Sequence, residues 1–139
     1  MGQIVNAVNL IIINDRNQVL LAKRAEDGKF KNCWSIPGGT VEHNETFEEA
    51  LFREIKEELG CNVSWFKYFK SYFFEVKEFT CRPIYFFGEI DGEINLDLNE
   101  LSEYDWFDLD DSKIFELDFA FNQNEILESF VEYKKRNSL

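Results

Sequence analysis

Histidine occurs once in the 139 residues, as His43, and cysteine three times, as Cys33, Cys61 and Cys81, with no C-x-x-C pair among them. A zinc cluster or a disulfide framework needs closely set ligands or paired thiols. Both are therefore excluded, and a reducing, cytoplasmic setting is the expectation. No apolar run approaches the length of about 20 residues that crosses a bilayer. The start, Met1-Gly2-Gln3-Ile4-Val5-Asn6, lacks the basic n-region of a secretory leader, and Asn6 stands where a myristoylation signal wants Ser or Thr. Basic residues are scarce as well: 15 Lys and Arg face 27 Asp and Glu, for a formal net charge of −12. Such a surface repels a nucleic-acid backbone and gives no general attraction to anionic lipid. Neither a nucleic-acid polymer nor a membrane is expected as a partner. Divalent cations remain compatible, since they would reverse the local field around clustered carboxylates.

What is present suits one globular domain spanning residues 1–139. Hydrophobic residues make up 45%, including 15 Phe, 5 Tyr and 3 Trp, enough for a substantial core. Ile4 to Ile13 is rich in Val and Ile, Asp15-Arg16-Asn17 supplies turn chemistry, and Val19 to Ala22 continues as a second strand. After a polar stretch from Lys23 to Asn32, Cys33-Trp34-Ser35-Ile36 reads as a short extended piece that Pro37-Gly38-Gly39 breaks. Thr46-Phe47-Glu48-Glu49 fits a capping box, and Gly60 is placed to end the helix it opens. Aromatic-rich strands follow at about Val63 to Val76 and Arg82 to Glu89, with a turn at Asp91-Gly92 and a short strand at Glu103 to Phe107. Asn124 to Lys135 reads as a closing amphipathic helix. This order implies a mixed α/β layer structure with helices packed on a sheet.

The first helix carries a conflict. At about 100° per residue, Phe47, Ala50, Leu51, Ile55 and Leu59 share one side, with Phe52 at its margin. Glu54, Glu57 and Glu58 project among or beside those apolar residues, while Glu49 and Lys56 face outward. Burying unpaired carboxylates is costly, and like charges three and four residues apart oppose the helix. A hard divalent cation coordinated by these oxygens would resolve the conflict. A solvated charge run balanced by Arg53 and Lys56 is the alternative, and the helix alone does not choose between them.

The surroundings of the helix do. Gly39, five residues, Glu45, seven residues and then Arg53-Glu54-Ile55-Lys56-Glu57-Glu58-Leu59-Gly60-Cys61 resembles the box of the Nudix hydrolase family, matching every charged and glycine position. Cys61 departs from the usual aliphatic residue, as a small hydrophobe. The approach Trp34-Ser35-Ile36-Pro37-Gly38-Gly39 is also similar to family members. The resemblance implies an α/β/α sandwich with a mixed sheet and a loop-helix-loop metal site. It implies Glu54, Glu57 and Glu58 as ligands of Mg²⁺ or Mn²⁺, Gly38 as a carbonyl ligand, and Arg53 as the partner of a glutamate. It further implies in-line attack of water on a phosphoanhydride of a small nucleotide substrate, with the base supplied either by the box helix or by a later loop. A homodimer is compatible with it.

In the later loop, Asn99 to Phe107, Glu100 is similar to a fourth ligand or base of the nucleoside triphosphate cleaners, with Glu103 competing and an acidic surface loop as the plain alternative. Trp34 and Phe30 are stacking candidates for a base. Lys23 and Arg24 are candidates for substrate phosphates, and Phe121-Asn122 is a weaker one for a base edge. Phe74 to Glu78 holds neither the proline of ADP-ribose cleavers nor the tyrosine of diadenosine polyphosphate cleavers. Elimination leaves a nucleoside triphosphate pyrophosphohydrolase releasing monophosphate and pyrophosphate. The alternatives are a hydrolase of ADP-ribose or nucleotide sugars, and a non-catalytic nucleotide sensor.

Overall fold

Strand β1 (Gln3–Ile13) is the β-branched run at the start, and it turns at Asn14 to Asn17 into β2 (Gln18–Arg24). Asn14 organises that turn, its Oδ1 accepting from the backbone of Arg16 at 3.0 Å and of Gln18 at 3.1 Å, while Asn17 takes the left-handed φ of 57°. The remaining elements are β3 (Trp34–Ser35), β4 (Gly38–Thr40), α1 (Phe47–Leu59), β5 (Asn62–Ser71), β6 (Phe74–Val76), β7 (Phe79–Asp91), β8 (Leu101–Asp108) and α2 (Gln123–Asn137). Short 3₁₀ turns at Ser112–Glu116 and Ala120–Asn122 lead into α2. This computed structural model describes residues 3–25, 30–76 and 78–137. The Met1-Gly2 start and residues 26–29 of the polar stretch lie outside the described residues.

The sheet is mixed. β1 runs parallel to β7 over ten residue pairs, from Gln3↔Phe79 to Ile12↔Gly88, the other strand pairings among the described residues are antiparallel, and a lone parallel bridge joins Trp34 to Phe119. β1 and β2 pair only at Ile12↔Leu20 and Ile13↔Val19, then diverge. Residues 34–40 fill the opening: β3 pairs with β2, and β4 pairs with β1. The Pro37 carbonyl between them accepts from Leu10 N–H at 2.9 Å. This wedge sets the glycines beside the strand that supports the site.

Alternation along β1 assigns the two faces. Val8, Leu10 and Ile12 pack with Ala50, Leu51, Ile55 and Leu59 of α1. Ile11 and Ile13 pack with Tyr85, Phe87 and the α2 residues Ile126, Leu127 and Phe130. One helix thus covers each face of the sheet, the expected α/β/α arrangement. Two details differ from the expectation. The aromatic stretch is two strands broken at Tyr72-Phe73, and Gly38-Gly39-Thr40 is a strand where a break is read from the sequence. Phe47, on the apolar side of the wheel, stays 40% exposed at the first position of α1.

Candidate functional site

The capping box fixes where α1 starts. Thr46 Oγ1 accepts from Glu49 N–H at 3.0 Å, and Glu49 Oε1 accepts from Thr46 N–H at 2.8 Å. Gly60 ends the helix in the left-handed region at φ 71°, its N–H donating to the Lys56 carbonyl at 3.0 Å. Between these stops, four apolar side chains key α1 to the sheet and so set the rotation of the glutamates. Cys61 does behave as a small hydrophobe: it is 1% exposed, in the core beside Leu59.

Arg53 organises the acidic face. Its Nε and Nη2 donate to the two oxygens of Glu45 at 2.6 and 3.0 Å, a bidentate fork. Nη2 also donates to the Thr40 carbonyl at 2.9 Å, tying the helix to β4. Nη1 reaches Glu54 Oε1 at 2.9 Å and Glu57 Oε2 at 3.3 Å. The hydrogen bond from Arg53, with a smaller one from the backbone at Glu42, holds the Glu45 carboxyl down near 2.

The three glutamates are left half-used. Glu54 Oε1 and Glu57 Oε2 accept from Arg53, and Glu58 Oε1 accepts from Gly38 N–H at 3.0 Å. Each carboxylate keeps a second oxygen with no hydrogen bond among the described residues. Burial, then the charge of Glu54, pushes the Glu58 carboxyl up to about 8, with Glu100 adding to the effect. Burial also raises Glu54, with Glu57 and Glu100 repelling and Arg53 opposing. Unrelieved negative charge and an all-oxygen donor set fit a hard divalent cation. Among the described residues, no group of three such ligands is already closed around one point.

Gly39 is required by this packing, because a β-carbon there would land on the Glu54 carboxylate. Gly39→Ala is therefore expected to leave the fold standing and to weaken divalent-ion binding by about tenfold or more, through a displaced Glu54. Calorimetric titration of the metal into both proteins checks this. Equal affinities would mean that Glu54 needs no such room.

The glutamates border a cleft of about 950 Å³. Gly38, Glu54, Glu57, Glu58 and Glu100 line it together with Phe74, Phe79, Phe119 and Phe121. Of the sequence candidates, Arg24 and Phe30 also line it, as do Phe121 and Asn122. Arg24 lies over the Phe121 ring at 5.6 Å, and its Nε is buried with no hydrogen-bond partner among the described residues. Phe30 packs on Phe121 at 4.4 Å between centroids, and Phe30, Phe121 and Asn122 all take positive φ, from 57° to 61°. Such backbone is uncommon for non-glycine residues and clusters at ligand sites.

Lys23 and Trp34 go elsewhere. They are register partners across β2 and β3, the Lys23 ammonium lies 5.9 Å over the Trp34 ring, and Trp34 packs edge-on against Phe107 at 5.1 Å. Neither lines the cleft. Glu103 pairs in register with Lys23 on β8 and does not line it either, whereas Glu100 is pinned there by backbone bonds from Glu100 N–H to the Asp97 carbonyl and from Ala25 N–H to its own carbonyl.

Sequence reasoning missed Asn9, Tyr72, Tyr85 and Gln123, which also line the cleft. The one signal was polarity out of place, Asn9 standing within an apolar strand. Its Nδ2 donates to the Ile36 carbonyl at 3.1 Å, and Gln123 Oε1 accepts from Ile36 N–H at 2.7 Å, so two side chains clamp the strand that leads to Gly38.

Comparison with known proteins follows the same geometry. A family model described as NUDIX domain matches residues 4–130. An ADP-ribose pyrophosphatase of Methanocaldococcus jannaschii is 32% identical over 126 residues, 88% of this chain and 71% of that protein. An 8-oxo-dGTP diphosphatase of Escherichia coli is 37% identical over 65 residues, covering 47% of this chain and 50% of that one. The crystal structure of a MutT protein from Methanosarcina mazei superposes with a TM-score of 0.83 at 26% identity, over 96% of this chain and 97% of that one.

Proposed function

Because this chain belongs to the Nudix hydrolase family and is a Nudix pyrophosphohydrolase, we propose that it cleaves nucleoside triphosphates to the monophosphate and pyrophosphate. The observation that carries this reading is a cleft lined both by half-used glutamates and by aromatic rings, with Arg24 lying over one of those rings. A base seats among the rings, and the phosphates extend toward the carboxylates. Glu54, Glu57 and Glu58, with Gly38 and Glu100, would hold Mg²⁺ or Mn²⁺. When bound, the cation neutralises charge on the phosphoryl oxygens and acidifies the attacking water.

The chain's own residues do the rest. Arg53 keeps one oxygen of Glu54 and one of Glu57 turned away from substrate, so their second oxygens point to the reaction centre. Arg24, which lines the cleft, pairs its guanidinium with a phosphate. The water oxygen bonds to phosphorus, the phosphoanhydride P–O bond opposite it breaks, and a carboxylate accepts the proton. Glu100 is that base in our reading, being the one cleft glutamate carried by a loop outside the helix and free of Arg53.

A second reading, cleavage of ADP-ribose, is favoured by the archaeal relative's similarity over 88% of this chain. Chromatographic identification of the products formed from canonical and oxidised triphosphates, ADP-ribose, nucleotide sugars and dinucleoside polyphosphates, with Mg²⁺, Mn²⁺ or EDTA, separates the two. Metal-dependent formation of monophosphate and pyrophosphate from triphosphates alone is the expected result, and formation of AMP and ribose 5-phosphate from ADP-ribose alone would replace it. Glu100→Gln is expected to lower turnover by about 10²–10⁴-fold with an unchanged melting temperature. Undiminished turnover would remove Glu100 from the mechanism.

A further inference from the structure

Gly38 is where the sheet meets the acidic helix, and a glycine does little to aim its own amide. Its N–H donates to Glu58 Oε1 at 3.0 Å, which leaves the second oxygen of Glu58 for a cation. β3 and β4, on either side of Pro37, are only two and three residues long, so few ladder bonds hold this segment. Side chains and a ring hold it instead. Gln123 Oε1 accepts from Ile36 N–H at 2.7 Å, and Asn9 Nδ2 donates to the Ile36 carbonyl at 3.1 Å, so both backbone polar groups of one residue are gripped. The Pro37 ring fixes the next φ, and the Pro37 carbonyl accepts from Leu10 N–H at 2.9 Å. Each backbone torsion between Ile36 and the Gly38 amide is thus restrained.

The grip is itself anchored. Tyr85, Asn9 and Gly38 lie in one row across β7, β1 and β4, through the register pairs Asn9↔Tyr85 and Asn9↔Gly38. Gln123, the first residue of α2, spans to that row, its Nε2 donating to the Tyr85 hydroxyl at 3.1 Å. Because Ile36 N–H can only donate, the orientation of the Gln123 amide is set from both sides. Gln123 is 2% exposed and Asn9 9%, so these bonds are made away from water, where a lost partner leaves the Ile36 backbone unsatisfied. α2 covers the sheet face opposite α1. Through Gln123, Ile36 and Gly38 it nevertheless reaches a glutamate of α1.

We propose that Gln123 and Asn9 are positioning residues for the metal site. By gripping the Ile36 backbone they aim the Gly38 amide, and that amide turns the free oxygen of Glu58 toward the cation. Removing a group that orients a metal ligand commonly costs about 10–100-fold in affinity. The inference rests on the reading of Glu58 as a ligand.

The probe is Mn²⁺ alone, titrated calorimetrically into the full chain and four variants, with thermal melts recording the stability of each. Gln123→Met keeps the length of the side chain and removes its grip. Asn9→Ala removes the other grip, and decides alone should Gln123→Met not fold. Phe130→Leu is the control for stability, since it lies on the same helix but packs on Phe69, Phe87 and Tyr133. Each grip variant is expected to bind Mn²⁺ about tenfold or more weakly, and Phe130→Leu to bind as the wild type does, whatever its melting temperature. NMR without metal should show Gly38 N–H exchanging about fivefold or more faster in Gln123→Met, relative to Leu109 N–H, which bonds the Asn17 carbonyl at the β1–β2 turn. Wild-type affinity in either folded grip variant overturns the proposal, as does an equal loss in Phe130→Leu. Glu58→Gln separates the proposal from the reading beneath it. Weaker binding there, with wild-type binding in the grip variants, overturns the proposal and keeps the ligand. Undiminished binding in Glu58→Gln removes the ligand, and the proposal falls with it.

Discussion

Glu58→Gln is expected to make the metal-free protein more stable at pH 8 to 9 while lowering its metal-dependent turnover by about 10²–10³-fold. Glu58 is 9% exposed, and its carboxyl is pushed up to about 8 from the 4.5 it has when unperturbed. Burial is the main cause, followed by Glu54, while the Gly38 N–H and Arg24 oppose the shift. The folded chain thus holds this proton more tightly than the unfolded one. Its contribution to stability is complete below pH 4.5 and is lost as pH rises toward 8. Each pKa unit corresponds to about 1.4 kcal/mol, so the loss is on the order of 3 kcal/mol after allowance for local relaxation. Glutamine avoids the loss, because it has no charge to bury and its Oε1 still accepts from Gly38 N–H. Melts in EDTA should show the two proteins alike at pH 5, with the variant ahead by roughly 5–10 °C at pH 9. Parallel curves at all three of pH 5, 7 and 9 would show that Glu58 is not strained in the way its burial implies. The activity loss follows from the same fact, since a carboxylate that opposes folding is retained for the cation it would bind.

The parts of this molecule that were legible in its sequence are those written in local signals. Thr46 and Glu49 mark the start of α1 and Gly60 its end, because capping is decided within four residues. The glutamates betray themselves on the wheel, because charge on an apolar face is a local contradiction. Strand β4 was not legible. Two glycines read as a break, yet here they allow close approach: a β-carbon on Gly38 would strike the backbone of Val8 and Asn9, and one on Gly39 would strike Glu54. That requirement exists only once β1 and β2 diverge and residues 34–40 enter the gap. Lys23 and Arg24 show a second limit. The pairing of β2 with β8 shifts register between them, so alternation along the strand does not say which of the two reaches the cleft. Tyr72, Tyr85 and Gln123 are single polar residues in a loop, a strand and a helix, brought together by the pairing of β7 in the sheet and the docking of α2. No spacing announces them.

Arg53 carries the other large effect, and here the conservative substitution is the informative one. Arg53→Lys keeps the charge but not the fork. The guanidinium makes two bonds to Glu45, one to Thr40 O and one each to Glu54 and Glu57 from a single rigid plane, which an ammonium on a flexible stem cannot reproduce. Turnover is expected to fall by about 10–100-fold, the usual cost of losing a group that orients metal ligands. Arg53→Ala should fall further and lose about 1–3 kcal/mol of stability, since Glu54 is then partly buried without its counter-charge. The acid limb of stability reports the same contact. Glu45, held near 2 by Arg53, contributes stability above pH 4.5 that is lost as pH falls toward 2. With Arg53 gone, Glu45 regains an ordinary carboxylate titration, and that contribution is absent at every pH. Carboxyl-carbon NMR of Glu45 would register the change directly. If Arg53→Lys retained full turnover with Glu45 still titrating near 2, charge alone would suffice and the fork would be dispensable. If turnover fell while Glu45 stayed low, the contacts to Glu54 and Glu57, rather than the one to Glu45, would be what turns the free oxygens toward substrate.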